Sequence, residues 1–181
     1  QLMITCLMDT LYPETGEAVL RVLQRAGVDV AFPTGQTCCG QPAFNAGLRQ
    51  EARGMAMHTI EVFEVSVDPV VTPSGSCAAM IRHGYPELFA DDPAWLRRAE
   101  ILARRTYELS EFLVDRLGLT NCGARWNGKL AYHRSCHLLR ELGVDRQPLA
   151  LLKAVSQATL VALPGSDECC GFGGVFSVEL P

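Results

Sequence analysis

Two adjacent-cysteine triplets, Cys38-Cys39-Gly40 and Cys169-Cys170-Gly171, carry the chemistry most visible in this sequence of 181 residues. Each follows a lone cysteine at nearly the same interval: 31 residues separate Cys6 from Cys38, and 32 separate Cys136 from Cys169. Pro33 and Pro164 each stand five residues ahead of their pair, and Cys77 closes a Ser74-Gly75-Ser76-Cys77 segment. Thiolates are soft ligands and redox groups, so this pattern points to metal or electron chemistry. A disulfide framework fits poorly, because the Cβ vectors of adjacent cysteines diverge. Four thiolates satisfy either tetrahedral zinc or a four-iron cluster. Spacing leaves both open, although the missing pair of Cys-x-x-Cys knuckles favours an iron-sulfur cluster over zinc.

The rest of the composition is ordinary. With 48% hydrophobic and 20% charged residues, the chain suits a globular protein with one or two compact units. Its net charge is -4 and its sixteen basic residues, nearly all Arg, are scattered, so no nucleic-acid partner is expected. No apolar run suggests a transmembrane segment, and the N-terminus lacks the pattern of a secretory leader. A cytoplasmic location follows as the expectation. Eight cysteines in a reducing compartment then argue for metal rather than cross-links.

The elements that must position these thiols read as an internal repeat. Leu2 to Thr5 predicts a short strand ending at Cys6, Pro13 opens a helix that Gly27 caps, and Val28 to Phe32 predicts a strand leading to the first triplet. From Lys129 the order recurs: a strand to His133, a helix around Leu149 to Val155, a strand from Thr159 to Leu163, then the second triplet. Between them lie a predicted strand over Val67 to Pro73, a helix from Ala78, and one long amphipathic helix from Trp95 to Leu117, with Gly118 to Asn127 as linker. Arg97-Arg98 and Arg104-Arg105 read as that helix's solvated face. The expected fold is α/β, with two Rossmann-like βαβ repeats, parallel sheets, and cysteine loops at the carboxyl ends of the strands. The first repeat spans 1–120 with the long helix, and the second spans 128–181. The second stops at Pro181 just after its triplet, so a chain truncated on that side is expected.

Strand ends followed by helix N-termini and glycine turns present backbone N–H groups that favour thiolate. Cys6, Cys38, Cys39 and Cys77 are therefore the expected ligands of a first site, and Cys136, Cys169 and Cys170 those of a second. The run Gly171-Phe172-Gly173-Gly174 is no dinucleotide fingerprint and reads as backbone room beside sulfur. Cys122 has no repeat partner and reads as a free thiol. His133 and His137 bracket Cys136 and either tune a cluster or merely pack, while His58 and His83 fall on predicted helices without a site role. Asp9, Glu14 and Arg140 cap helices or line the site. No nucleophile and base pair is readable, so no catalytic residue is assigned.

At Thr5-Cys6-Leu7-Met8-Asp9, Cys38-Cys39-Gly40-Gln41-Pro42-Ala43-Phe44-Asn45, Ser74-Gly75-Ser76-Cys77, Ser135-Cys136-His137-Leu138-Leu139-Arg140 and Cys169-Cys170-Gly171-Phe172-Gly173-Gly174, the chain resembles the cysteine-rich CCG domain family. That family includes the cysteine-rich component of heterodisulfide reductase, the iron-sulfur component of glycolate oxidase and the lactate-utilisation proteins, and the last group is the most similar. The resemblance implies a 4Fe-4S electron-transfer subunit of an oxidoreductase complex that converts L-lactate to pyruvate. Its partners would be other iron-sulfur or flavin subunits of a 2-hydroxyacid oxidising complex. Two alternatives stay open: a zinc- or thiol-based assembly protein, and a redox subunit of the heterodisulfide reductase or glycolate oxidase kind. Met80 stands where the heterodisulfide reductase motif has a further cysteine, and Arg134 stands where the family pattern suggests Asp. The first departure favours an ordinary cubane cluster over a five-cysteine, non-cubane one.

Overall fold

The computed structural model describes residues 1–171. Its class is α/β, as expected, with two separate pairs of parallel strands. In the first unit β1 (Val70–Thr72) pairs with β2 (Thr106–Glu108), in the register Val70 to Thr106 and Thr72 to Glu108. Leu2 bridges in parallel to Val71 on the other side. Alternation across this small sheet splits the core into two layers. Met3 and Val70 face Ile60, Phe63, Ile81, Tyr85 and Leu102, whereas Leu2 and Val71 face Val19, Leu23, Phe112 and Leu113. Helices therefore cover both faces, and burying each large apolar side chain stabilises the fold by about 1.5–3 kcal/mol.

The helix starts follow local chemistry. Thr5 caps α1 (Cys6–Leu11) by accepting from the Met8 N–H at 3.2 Å, an element that hydrophobic periodicity does not announce. Pro13 opens α2 (Pro13–Arg25), and Gly27, at φ 78°, ends it with Val28 N–H on Leu23 O and Gly27 N–H on Gln24 O, the Schellman pattern. Next come α3 (Gln41–Asn45) and α4 (Arg49–Phe63). After β1, α5 (Gly75–Ala79) runs through a π-helical turn at Met80–Gly84 into α6 (Tyr85–Leu88). Pro86 offers no N–H and crowds the carbonyl four residues back, so a widened turn before it relieves the helix.

Several expectations are corrected. Val28 to Phe32 forms no strand, although Ala31 O still accepts from Leu2 N–H at 2.9 Å. The Gln36 side chain takes the strand partner's place, accepting from Ile4 N–H at 3.0 Å and donating to Leu2 O at 2.9 Å. Leu2 to Thr5 shortens to the single bridge at Leu2. The long helix from Trp95 to Leu117 is broken: α7 (Pro93–Arg104) stops, β2 intervenes, and α8 (Leu109–Glu111) restarts before a π-helical turn at Phe112–Arg116. Thr106 and Tyr107 favour a strand, and Glu108 with Glu111 forms a capping box that begins a new helix. Arg105 also leaves the solvated face, whereas Arg98 stays at the surface with its side chain 32% exposed. Arg98 grips Glu64 at 2.6 Å, and Arg105 donates to the carbonyls of Asp68 and Phe63.

In the second unit β3 (Arg125–Ala131) pairs in parallel with β4 (Ser156–Val161), connected through a π-helical turn at His137–Glu141 and α9 (Arg146–Lys153). Strand β3 thus starts inside the expected linker and ends two residues short of His133. The units meet where Leu138 packs on Gly75: a Cβ on Gly75 would lie 2.8 Å from the Leu138 Cβ. Across the same junction Arg146 pairs with Asp115 at 2.7 Å. No helix among the described residues is long and apolar enough to cross a membrane.

Candidate metal centre

The first four cysteines come together from three segments. Cys6 is the first residue of α1, Cys38 and Cys39 end the loop before α3, and Cys77 sits in the first turn of α5. The loop is pinned beneath by Gln36 and above by the fully buried Tyr85, whose hydroxyl donates to Cys39 O at 2.9 Å. Ser74 caps α5, its hydroxyl accepting from the Cys77 N–H at 3.4 Å. Gly40 must stay glycine-like, since it holds φ 84° and a Cβ there would stand 3.1 Å from the Met55 Cβ. Neither Gln36 nor Tyr85 was readable as a site residue, because each acts through a contact distant in sequence.

The sulfurs form a row. Cys6 Sγ lies 3.6 Å from Cys38 Sγ, and Cys39 Sγ lies 3.5 Å from Cys77 Sγ, with Cys38 and Cys39 hydrogen-bonded between the pairs. Cys39 and Cys77 are buried, while Cys6 and Cys38 are half-buried. Protonation alternates along the row. The Cys39 thiol and the Gly40 N–H stabilise the Cys38 thiolate against burial and draw its pKa down to about 5. Burial, followed by the role of donor to Cys38, pushes Cys6 up to about 11. Cys39, which donates to both neighbours, is held as thiol, whereas its hydrogen bond and those of Ser74 and Ser76 favour Cys77 thiolate. Main-chain N–H groups of Leu7, Gly40 and Gln41 also point at Cys6, Cys38 and Cys39 respectively. Such N–H to sulfur bonds lower the charge that a bound metal group must bear.

The donor set therefore fits an iron-sulfur group: four thiols, two already favoured as thiolate, in a cradle of N–H donors. Among the described residues, no three His, Cys, Asp or Glu side chains surround a single metal-ion position.

The second set is more open. Cys136 precedes the His137–Glu141 turn, and Cys169 and Cys170 are exposed. Burial and then the hydrogen bond to Cys169 raise Cys136, while the Gly171 N–H and the Cys136 thiol lower Cys169. Arg140 stabilises negative sulfur there and ties the loop down through Asp167 O at 3.0 Å. Phe172, Gly173 and Gly174 lie outside the described residues.

Of the remaining candidates, His137 faces the first unit. Its Nε2 is 3.2 Å from the Gln41 amide nitrogen, and its Nδ1 is 2.7 Å from Glu141. Through these two contacts the ring links the two cysteine loops. His133 and His83 are exposed, and His58 contacts Gly35 O at 2.7 Å. Arg134 pairs with Asp145 at 2.8 Å, and Cys122 packs partly buried against the apolar layer of Leu2 and Phe112. Asp9 lines a cleft beside Cys6 and Cys38.

A family model described as "Cysteine-rich domain" matches residues 2–82 and again 130–181. Three proteins named Lactate utilization protein A are similar over 99% of this chain and 74% of their own length. The one from Exiguobacterium sp. is 49% identical over 181 residues, that from Bacillus pumilus 49% over 179, and that from Shouchella clausii 50% over 180.

Proposed function

The chain belongs to the cysteine-rich CCG domain family, and from that premise we propose that it is a cytoplasmic, iron-sulfur electron-transfer subunit of a complex that oxidises L-lactate to pyruvate. The convergence of four thiols from three segments, Cys6 beside Cys38 and Cys39 beside Cys77, is the observation that carries this reading. Four thiolates satisfy tetrahedral zinc as well as a four-iron cluster. The missing pair of Cys-x-x-Cys knuckles favours the cluster. In this reading Cys136, Cys169 and Cys170 serve a second centre, and the relatives' name supplies the lactate context.

When bound, the cluster supplies one-electron transfer. The chain's own residues do the rest. Cys38 and Cys77 offer ready thiolates, Cys6 and Cys39 give up protons on ligation, and the N–H groups of Leu7, Gly40 and Gln41 offset negative charge on sulfur. Burial of Cys39 and Cys77 keeps water from that side of the site, and the half-buried Cys6 and Cys38 form its more accessible side.

The test is anaerobic reconstitution with iron and sulfide or with zinc, followed by measurement of all three per chain. Iron and sulfide in equal amounts are expected, with Cys39→Ser losing the share held by the first site. Stoichiometric zinc with no iron uptake overturns the proposal.

A further inference from the structure

We propose that the four-thiol row, whenever it carries no cluster, closes oxidatively into two defined disulfides, Cys6–Cys38 and Cys39–Cys77, which reversibly guard the site. That the guarded group is a cluster rests on the function proposed above; the pairing rests on geometry alone.

The partners are already selected. Their sulfurs stand 3.6 and 3.5 Å apart, and side-chain torsions can bring each pair to a bond of about 2.05 Å. The competing link between Cys38 and Cys39 is opposed by the backbone, because neighbouring Cα atoms sit about 3.8 Å apart, short of the roughly 4.4 Å minimum usual for disulfides. Tyr85 on Cys39 O, Gln36 on Leu2 O and Ser74 at α5 anchor the segments that present the two pairs.

Access sets the order. Cys6 and Cys38 line an open cleft of about 300 Å³ together with Asp9, Phe32 and Gln36. Cys39 and Cys77 are only 3% and 7% exposed. A hydroperoxide reaches the outer pair first. Its O–O bond breaks as one thiolate is oxidised to sulfenic acid, leaving water from hydrogen peroxide. The neighbouring thiol attacks that sulfur, the S–S bond forms, and the hydroxyl departs as a second water. Two thiols and one peroxide thus give one disulfide and two waters, and a second peroxide closes the inner pair. A dithiol reductant reverses both steps by exchange. All four ligands are then withheld from metal until reduction.

The experiment uses the full chain, purified without oxygen, reduced and stripped of metal by a chelator. One and then two equivalents of hydrogen peroxide are added, free thiols are alkylated, and peptides are mapped by mass spectrometry without reduction. Cys6–Cys38 is expected after the first equivalent and Cys39–Cys77 after the second, both reopened by dithiothreitol. In Cys6→Ser the inner disulfide should still form. A Cys38–Cys39 link, pairing with Cys122, Cys136, Cys169 or Cys170, or passage to sulfinic acid overturns the proposal. A parallel arm measures iron and sulfide uptake by the reduced protein. Uptake with scrambled oxidation leaves the cluster reading standing and removes the guard. Ordered disulfides without uptake keep the pairing and remove the cluster reading.

Discussion

At the scale of single residues, the first site joins one favoured thiolate to one thiol in each of two close sulfur pairs. Cys38, drawn to about 5, stays ionised at neutral pH and protonates as pH falls through that value; Cys6, pushed to about 11, ionises only in strong alkali. In reduced, metal-free protein the alkylation rate of Cys38 should be flat from about pH 6 to 9 and fall below about pH 5, while that of Cys6 climbs only towards about pH 11. Mass spectrometry of single-site labelling at graded pH checks both curves. Gly40 gives a second test. Gly40→Ala places a side chain at φ 84° and 3.1 Å from Met55, and should cost about 1–3 kcal/mol in urea unfolding. The cysteines were legible in the sequence because thiol type and repeat spacing are local facts. The contacts between cysteines that set each thiol's charge were not, because they join segments distant in sequence, as do the Gln36 and Tyr85 bonds that pin the Cys38-Cys39 loop.

At the scale of elements, the site depends on how helix starts are packed against one another. Cys77 and Leu138 meet through Gly75, where α5 and the His137–Glu141 turn leave no room for a Cβ. Gly75→Ala should destabilise by about 1–3 kcal/mol through overpacking. Leu138→Ala should cost about 2–4 kcal/mol by opening a cavity, and the double variant should cost less than the sum. Denaturant titration of the parent and the three variants measures that coupling; additive losses would mean that the two elements do not press on each other. Element order was legible in part: Pro13, Gly27 and the apolar runs announce themselves, whereas α1, α3 and α4 do not. The break at Arg104 was hidden because the amphipathic period continues through Thr106 to Glu108, which parallel pairing with β1 turns into a strand. The strand expected over Val28 to Phe32 failed for the opposite reason, as one glutamine side chain supplied the ladder's bonds.

At the scale of the whole molecule, a layered α/β unit sets four thiols along one edge, and a second unit seats its own Cys136 turn against it through Gln41 and His137. On the proposed reading, the two cysteine sets are stations for electrons, which places the chain among the carriers rather than the catalysts of lactate oxidation. The most direct measurement is an anaerobic redox titration of the reconstituted protein, followed by electron paramagnetic resonance and optical absorption. A reversible one-electron signal is expected that accompanies iron and sulfide in the chain and diminishes in Cys39→Ser. A protein that takes up zinc alone and shows no reversible electron uptake would contradict it.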